Sequence, residues 1–333
     1  MTSMTPPPTL KPRSLTPATL LLRTAAALAA GLLVATQAQS AMLLSLLTQA
    51  TIFAIFALGV GLLLRQNGMV SFGHAAFYGL AGYVAAILMQ QHGLSAEAVL
   101  FLTLLIMALF SCLIGLVIVR VPGIAFGMLT LAVGQMFFQL ASTSRSLTGG
   151  ADGMYLDWPA RLFGVPIGLI QRQDVLFGIS WTLLVLCIAG LAALLSTRFG
   201  RVTEAIRDNE ERARFIGIRT LMPRVAIFAL SALVTSLAGL LSVLNTGFIS
   251  PESLHWSVSG AALMMVIIGG FRTLWGPALG AVVFFLARDL IGDYAQHWLA
   301  IFGTALILII VFSPEGIGGA LQRLFQRRRP QRT

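Results

Sequence analysis

The chain has 333 residues, 57% of them hydrophobic and only 10% charged, with a mean hydropathy of +0.88. Soluble domains carry roughly 25% charged residues, so a water-soluble globule is excluded, and the length is read as many membrane crossings rather than several domains. The formal charge of +10 raises nucleic acid as a partner; phosphate binding needs clustered Lys and Arg, whereas these arginines fall in short segments between apolar runs, so nucleic acid is excluded too.

The expected fold is all-α and integral to the membrane, with roughly ten transmembrane helices. Residues 1–17 form a Pro-rich tail carrying Lys11 and Arg13. Apolar runs bounded by polar or Gly/Pro breaks then predict spans over residues 18–38, 41–64, 73–91, 98–119, 124–142, 175–196, 225–245, 258–270, 277–295 and 296–312. Within these, residues 261–270 and 277–286 are each too short to cross alone, which points to a broken or re-entrant helix. The first run, with Lys11 and Arg13 before it and small residues after it, has a rival reading as a signal peptide; cleavage leaves the later topology unchanged.

Placing both termini in the cytoplasm puts 18 of the 22 basic residues inside and leaves Arg145, Arg161, Arg172 and Arg288 outside, in line with the positive-inside rule. Residues 18–312 are then the transmembrane domain, 143–174 a loop on the outer side, 197–224 a cytoplasmic loop, and 313–333 a basic cytoplasmic tail near anionic membrane lipid. Ten spans divide into two inverted groups of five, with Gly-rich breaks near the third span of each, around residues 68–73 and 269–276. Such paired interruptions point to a midplane solute route, although Gly also simply lets helices pack closely.

The loop 197–224 holds seven arginines with Glu204, Asp208, Glu210 and Glu211. Val202, Ile206, Ala213 and Ile216 fall near one face at helical spacing, while Asp208 with Arg212 and Glu210 with Arg214 form i,i+4 pairs, so a short amphipathic helix is expected. It lies in the lipid interface, docks on a cytosolic partner, which its acids and modest apolar face favour, or is a merely solvated loop. No P-loop is possible, because the one lysine is Lys11. Acids are nearly missing from the spans, with only Asp289 and Asp293 toward an outer end, which disfavours the alternative of an ion-coupled secondary transporter working alone. The driving force is therefore expected from a separate protein. His74, His92, His255 and His297 have no metal-ligand spacing, no nucleophile-base constellation is evident, and neither enzyme chemistry nor a cofactor is expected. Cys112 and Cys187 lie in apolar runs and read as buried packing thiols.

Several motifs together carry a resemblance: Asn67-Gly-Met-Val-Ser-Phe-Gly-His-Ala-Ala-Phe-Tyr-Gly-Leu-Ala-Gly-Tyr83, Leu147-Thr-Gly-Gly-Ala-Asp-Gly153, Phe199-Gly-Arg-Val-Thr-Glu-Ala-Ile-Arg-Asp-Asn-Glu-Glu-Arg-Ala213, Ser250-Pro-Glu252, Gly269-Gly270, Leu274-Trp-Gly-Pro277 and Ser313-Pro-Glu-Gly316. In this order and spacing the chain resembles the LivM-type permease subunit of bacterial branched-chain amino acid ABC importers. Arg272 stands where that family usually has Gly, and Ala261 where it usually has Glu. The resemblance implies an inner-membrane permease that moves branched-chain or related small amino acids, or urea or short amides, inward. Its implied partners are a second homologous permease subunit, two cytosolic ATPase subunits and a periplasmic solute-binding protein.

Glu204, Arg207, Asn209, Glu210, Glu211, Ala213 and Gly217 are the expected ATPase-coupling residues; the spacing of Glu211, Ala213 and Gly217 resembles the loop with which ABC permeases grip their ATPase. Asn67, Ser71, His74, Thr130, Gln135, Gly269 and Gly270 are candidates for the solute path. Against that role, Ser71 reads equally as a helix cap, His74 as a bundle hydrogen bond, and Thr130 and Gln135 as interhelical contacts. Thr148, Gly149, Gly150 and Asp152 either contact the binding protein or only turn the chain. Trp256 and Trp275 read as interfacial anchors.

Overall fold

In hydrocarbon a backbone amide can pair only within its own segment, so long apolar runs become helices. The computed structural model describes residues 17–37, 40–292, 303–304, 307 and 316–327. Most of the N-terminal tail and, apart from Gly303, Thr304 and Ile307, the predicted span 296–312 lie outside the described residues. The helices are α1 (Pro17–Gln37), α2 (Ala41–Asn67), α3 (His74–His92), α4 (Ala96–Ile118), α5 (Ile124–Thr143), α6 (Arg145–Thr148), α7 (Ile167–Ile170), α8 (Gln173–Leu195), α9 (Arg198–Asp208), α10 (Glu210–Phe215), α11 (Leu221–Thr246), α12 (Trp256–Gly269), α13 (Gly276–Gly292) and α14 (Gly316–Arg327).

Among the described residues, α2, α4, α5, α8 and α11 are long and apolar enough to cross a membrane, and α12 is a shorter apolar helix. Ends are set by local chemistry. Ser40 and Ser95 cap α2 and α4 by accepting the backbone N–H of Leu43 and Ala98, and α2 and α11 each stop on a left-handed glycine, Gly68 at φ +66° and Gly247 at φ +65°.

The centre is built on α2 and α11, whose apolar windows are 78% and 72% buried, against 28% to 33% for α4, α5 and α8. They lie against each other, with α3 and α4 beside α11, and α8, α12 and α13 beside α2. Gly59 makes the close approach possible: a Cβ there would stand 2.8 Å from the Ser231 carbonyl oxygen. The Asn67 side chain donates to the Arg224 carbonyl at 3.0 Å, so the end of α2 meets the start of α11.

At the opposite end, the segment between α5 and α8 is structured. After α6 and a 3-10 turn (Gly150–Asp152), β1 (Met154–Tyr155) follows. The strands β2 (Arg161–Leu162) and β3 (Val165–Pro166) form a hairpin, and β1 pairs antiparallel with β4 (Phe248–Ile249) in the register Met154 to Ile249. This ribbon ties the loop to the end of α11. The expectation of two buried thiols is corrected: both cysteines are free, but Cys112 is exposed, on the outward face of α4, and Cys187 is half-buried.

Candidate coupling loop and solute route

The single amphipathic helix expected over the charged loop is two helices. Asn209 is extended (φ −160°, ψ 104°), and its side chain accepts the Arg212 N–H at 2.8 Å, ending α9 and capping α10. The break cancels the expected Asp208–Arg212 pair; Asp208 pairs instead with Arg207 at 2.7 Å. It also turns Ile216 outward. The Glu210–Arg214 pair does form, at 2.6 Å.

Both helices are fastened to the bundle core. Arg207 Nη1 donates to the Arg65 carbonyl at 2.7 Å, placing a cation on the C-terminal carbonyls of α2, where the helix dipole favours it, and its Cγ lies 3.2 Å from where a Gly68 Cβ would be. The buried Thr203 hydroxyl lies 2.8 Å from Gln66 Oε1 and 2.9 Å from the Gly200 carbonyl. Glu210 binds Arg224 of α11 at 2.6 Å and accepts from Thr220 at 2.9 Å. Partial burial opposes ionisation of Glu210, but the Thr220 hydroxyl and the Arg224 and Arg214 guanidiniums outweigh it and hold the carboxyl below its ordinary value. Ala213 and Ile206 are buried, Glu204 is half-buried, and Glu211 is exposed. Gly217, at φ +86°, closes α10 by donating to the Arg214 carbonyl at 2.9 Å. A cleft of about 310 Å³ opens between α9, α10 and the end of α2, lined by Asn67, Arg207, Asn209, Glu211 and Arg224 among others. Asn67 Oδ1 is buried there without a hydrogen-bond partner among the described residues.

Phe215, which the sequence reading did not select, and Ile216, which it placed on the inner apolar face, project from the end of α10 with 90% and 72% exposure. They set a large apolar pair on an otherwise charged surface. The signal lay in Asn209: taken as an N-cap, it resets the helical phase and turns this pair outward.

The first Gly-rich break, residues 68–73, packs against α5. A Cβ at Gly73 would collide with the Thr130 carbonyl oxygen, and one at Gly134 would lie 3.2 Å from Gly73 Cα. The Thr130 hydroxyl accepts the Phe72 N–H at 3.2 Å and lies 2.8 Å from the Gly127 carbonyl. Just beyond, His74 is fully buried. Its Nδ1 lies 2.7 Å from Ser71 Oγ and its Nε2 2.8 Å from Ser231 Oγ, and the Ser231 hydroxyl donates to the Gly59 carbonyl at 2.7 Å. Proton counting then orders the chain: Ser231 spends its proton on Gly59, so it accepts from His74 Nε2–H, and Nδ1 accepts from Ser71. This line joins the break to α11 and α2. Ser71 makes no side-chain cap at the Gly73 position beyond a long contact of 3.4 Å with the Gly73 N–H.

The second break also rests on close backbone contact. Gly269 and Gly270 are buried, and a Cβ on Gly269 would stand 2.5 Å from the Gly276 carbonyl carbon; one on Gly318 of α14 would stand 2.7 Å from the Gly269 oxygen. Gln135 stands apart from the other path candidates: it is exposed on the outward face of α5. At the other end, Thr148 is buried, 2.7 Å from the Ala141 and Ser144 carbonyls. Gly149, Gly150 and Gly153 all have positive φ, and Asp152 is exposed at the tip of this turn, which abuts β4.

The family described as "Branched-chain amino acid transport system / permease component" matches residues 42–312. The chain is 26% identical over 290 residues to the high-affinity branched-chain amino acid transport system permease protein LivM of Salmonella typhimurium, covering 81% of this chain and 68% of the relative. LivM of Escherichia coli K12 is 25% identical over the same coverage. The autoinducer 2 import system permease protein LsrC of Salmonella paratyphi B is 32% identical over 178 residues, 50% of this chain and 51% of the relative. No solved structure matches the chain significantly. With a match that runs from the start of α2 past α13 and takes in both Gly-rich breaks and the fastened charged loop, the chain belongs to the family of permease components of branched-chain amino acid transport systems, multi-pass membrane subunits of ABC importers.

Proposed function

We propose that this permease passes branched-chain amino acids inward across the bacterial inner membrane, within an assembly of a second homologous permease, two cytosolic ATPases and a periplasmic solute-binding protein. Both termini and the segment 197–224 face the cytoplasm, residues 143–174 face the periplasm, and residues 18–312 form the transport unit. The names of the LivM relatives support the solute class. Arginine placement supports the orientation: the coupling-loop end gathers Arg65, Arg198, Arg201, Arg207, Arg212, Arg214, Arg219 and Arg224.

The observation that carries the reading is the exposed Phe215–Ile216 pair on a helix whose base is fastened to α2 and α11. An ATPase gripping this knob moves the two central helices directly, with Glu204, Arg207, Asn209, Glu210, Glu211, Ala213 and Gly217 forming the grip. The inverted repeat fits the same picture. Each of the two most buried helices is the second of its group of five, each ends on a left-handed glycine, and each is followed by a short break and another helix, α3 or α12. Asn67, Ser71, His74, Thr130, Gly269 and Gly270 shape the route as packing and hinge residues, Gln135 lines it, and the turn from Thr148 to Asp152 meets the binding protein.

Reconstitution of the complete importer tests this. Leucine uptake is expected to need ATP, and Phe215→Asp is expected to abolish it while the permease remains inserted and folded, since that side chain supports nothing within the chain. Uptake unaffected by Phe215→Asp, or persisting without ATP and collapsing with an ionophore, overturns the reading.

A further inference from the structure

The outward faces of α4 and α5 differ in chemistry. On α4 the exposed side chains are Phe101, Leu105, Ile106, Leu109, Cys112, Leu113 and Val117, a surface matched to lipid. On α5 the stripe at three- and four-residue spacing begins with the exposed Ile124 and Met128 and continues with Ala132, Gln135, Gln139 and Thr143, flanked by the exposed Met136 and Leu140. Unlike α4, it thus sets two amides among apolar side chains. Neither glutamine amide has a hydrogen-bond partner among the described residues. Lipid cannot supply one, and an unpaired amide in hydrocarbon is strongly unfavourable.

Gln135 lies about 17 Å from the start of α5 and about 12 Å from its end, at 1.5 Å per residue, which sets it near mid-membrane; Gln139 is one turn further out. Between them, the Phe138 ring meets His255 edge-on with centroids 5.2 Å apart, holding this side of α5 to the start of α12. There Gly260 is half-exposed, and a Cβ on it would meet nothing within 4 Å.

We propose that the α5 face bearing Gln135 and Gln139 is a wall of the water-filled solute route and that these amides bind the passing amino acid. A primary amide offers two donors and one acceptor group, so a pair one turn apart and about 6 Å from each other serves both ends of a zwitterion: N–H to its carboxylate, C=O to its ammonium. Neutral amides hold such a solute without the charge that would trap it. This deepens the import reading above by assigning the contacts on the solute's charged groups, and it adds Gln139, which sequence inspection did not select.

The test uses the assembled importer carrying Cys112→Ala and Cys187→Ala. Single cysteines at Gln135→Cys, Gln139→Cys and, as a lipid-face control, Leu109→Cys are challenged with a charged, membrane-impermeant thiol reagent with and without leucine and its loaded binding protein. Positions 135 and 139 are expected to react at least about tenfold faster than 109, and leucine to slow them. Labelling no faster than at Leu109→Cys overturns the proposal, whether lipid or the second permease covers the face; fast labelling without leucine protection overturns the binding role. As a second measurement, Gln135→Leu with Gln139→Leu is expected to raise the KM for leucine about tenfold, the loss of two ordinary hydrogen bonds. An unchanged KM counts against it. Labelling needs no ATP, so it separates this proposal from the ATP requirement that tests the import reading.

Discussion

Replacing Glu210 with Gln removes one charge from the point where the coupling loop meets α11. The carboxylate receives Arg224 at 2.6 Å, Arg214 at 2.6 Å and Thr220 at 2.9 Å. Arg214 is 65% exposed and its pair resembles a surface ion pair, which contributes about 0.2–1 kcal/mol. Arg224 is 12% exposed, and its bond belongs with charge-assisted hydrogen bonds contributing about 1.5–3 kcal/mol. The glutamine oxygen keeps one neutral acceptor, so the net cost is roughly 2 kcal/mol, which raises local opening of α10 about 30-fold. Hydrogen exchange on the permease in lipid nanodiscs should show that acceleration in the amides of residues 210–218, with α3 and α4 unchanged. The sign with pH follows from the lowered carboxyl: the unfolded loop binds the proton more tightly, so the stabilisation is fully present above the ordinary value of 4.5 and is lost as pH falls through the lower folded value. Acceleration below about threefold in Glu210→Gln, against the 30-fold expected from these bonds, would refute the claim that this carboxylate fastens the loop.

Gly73→Ala puts a methyl into the Thr130 carbonyl and should sharply lower the amount of folded permease, whereas Gly260→Ala, which meets nothing within 4 Å, should leave it unchanged; fluorescence-detected size exclusion compares them. Asn209→Ala removes the cap on Arg212 N and should cost about 1 kcal/mol, read as faster exchange in the first turn of α10. In thermal unfolding, Ser231→Ala should destabilise more than Ser71→Ala. The former strands the buried His74 Nε2–H, a donor, and the latter only the Nδ1 acceptor.

The helices were legible because burial in lipid imposes one pattern on every span: residues 124–142 became Ile124–Thr143 and residues 175–196 became Gln173–Leu195. The charged loop was harder, since its apolar residues satisfy helical spacing across Asn209 whether or not the helix breaks there. Only the extended backbone at Asn209 shows that Ile216 belongs to the outside and Asp208 to Arg207. The strands were invisible for a different reason. Two residues of β1 pair with two of β4, more than ninety positions apart, and no local periodicity encodes such a contact. Among the path candidates, sequence could mark Ser71 and His74 as polar residues at a Gly-rich helix start, but it could not distinguish an inward His74 from an outward Gln135, because that depends on which face α11 and α12 cover.

Helix α11 runs 26 residues without a break, about 39 Å, and both of its ends are handles. One carries Arg224 in the grip of Glu210; the other passes through Gly247 into the strand that holds the Thr148–Gly153 turn. In the proposed assembly, a load applied by a docking protein outside and a pull applied by a nucleotide-driven motor inside would act on opposite ends of one stiff rod. Signalling across the bilayer then needs no relay of side chains, only a shift or tilt of that rod against α2.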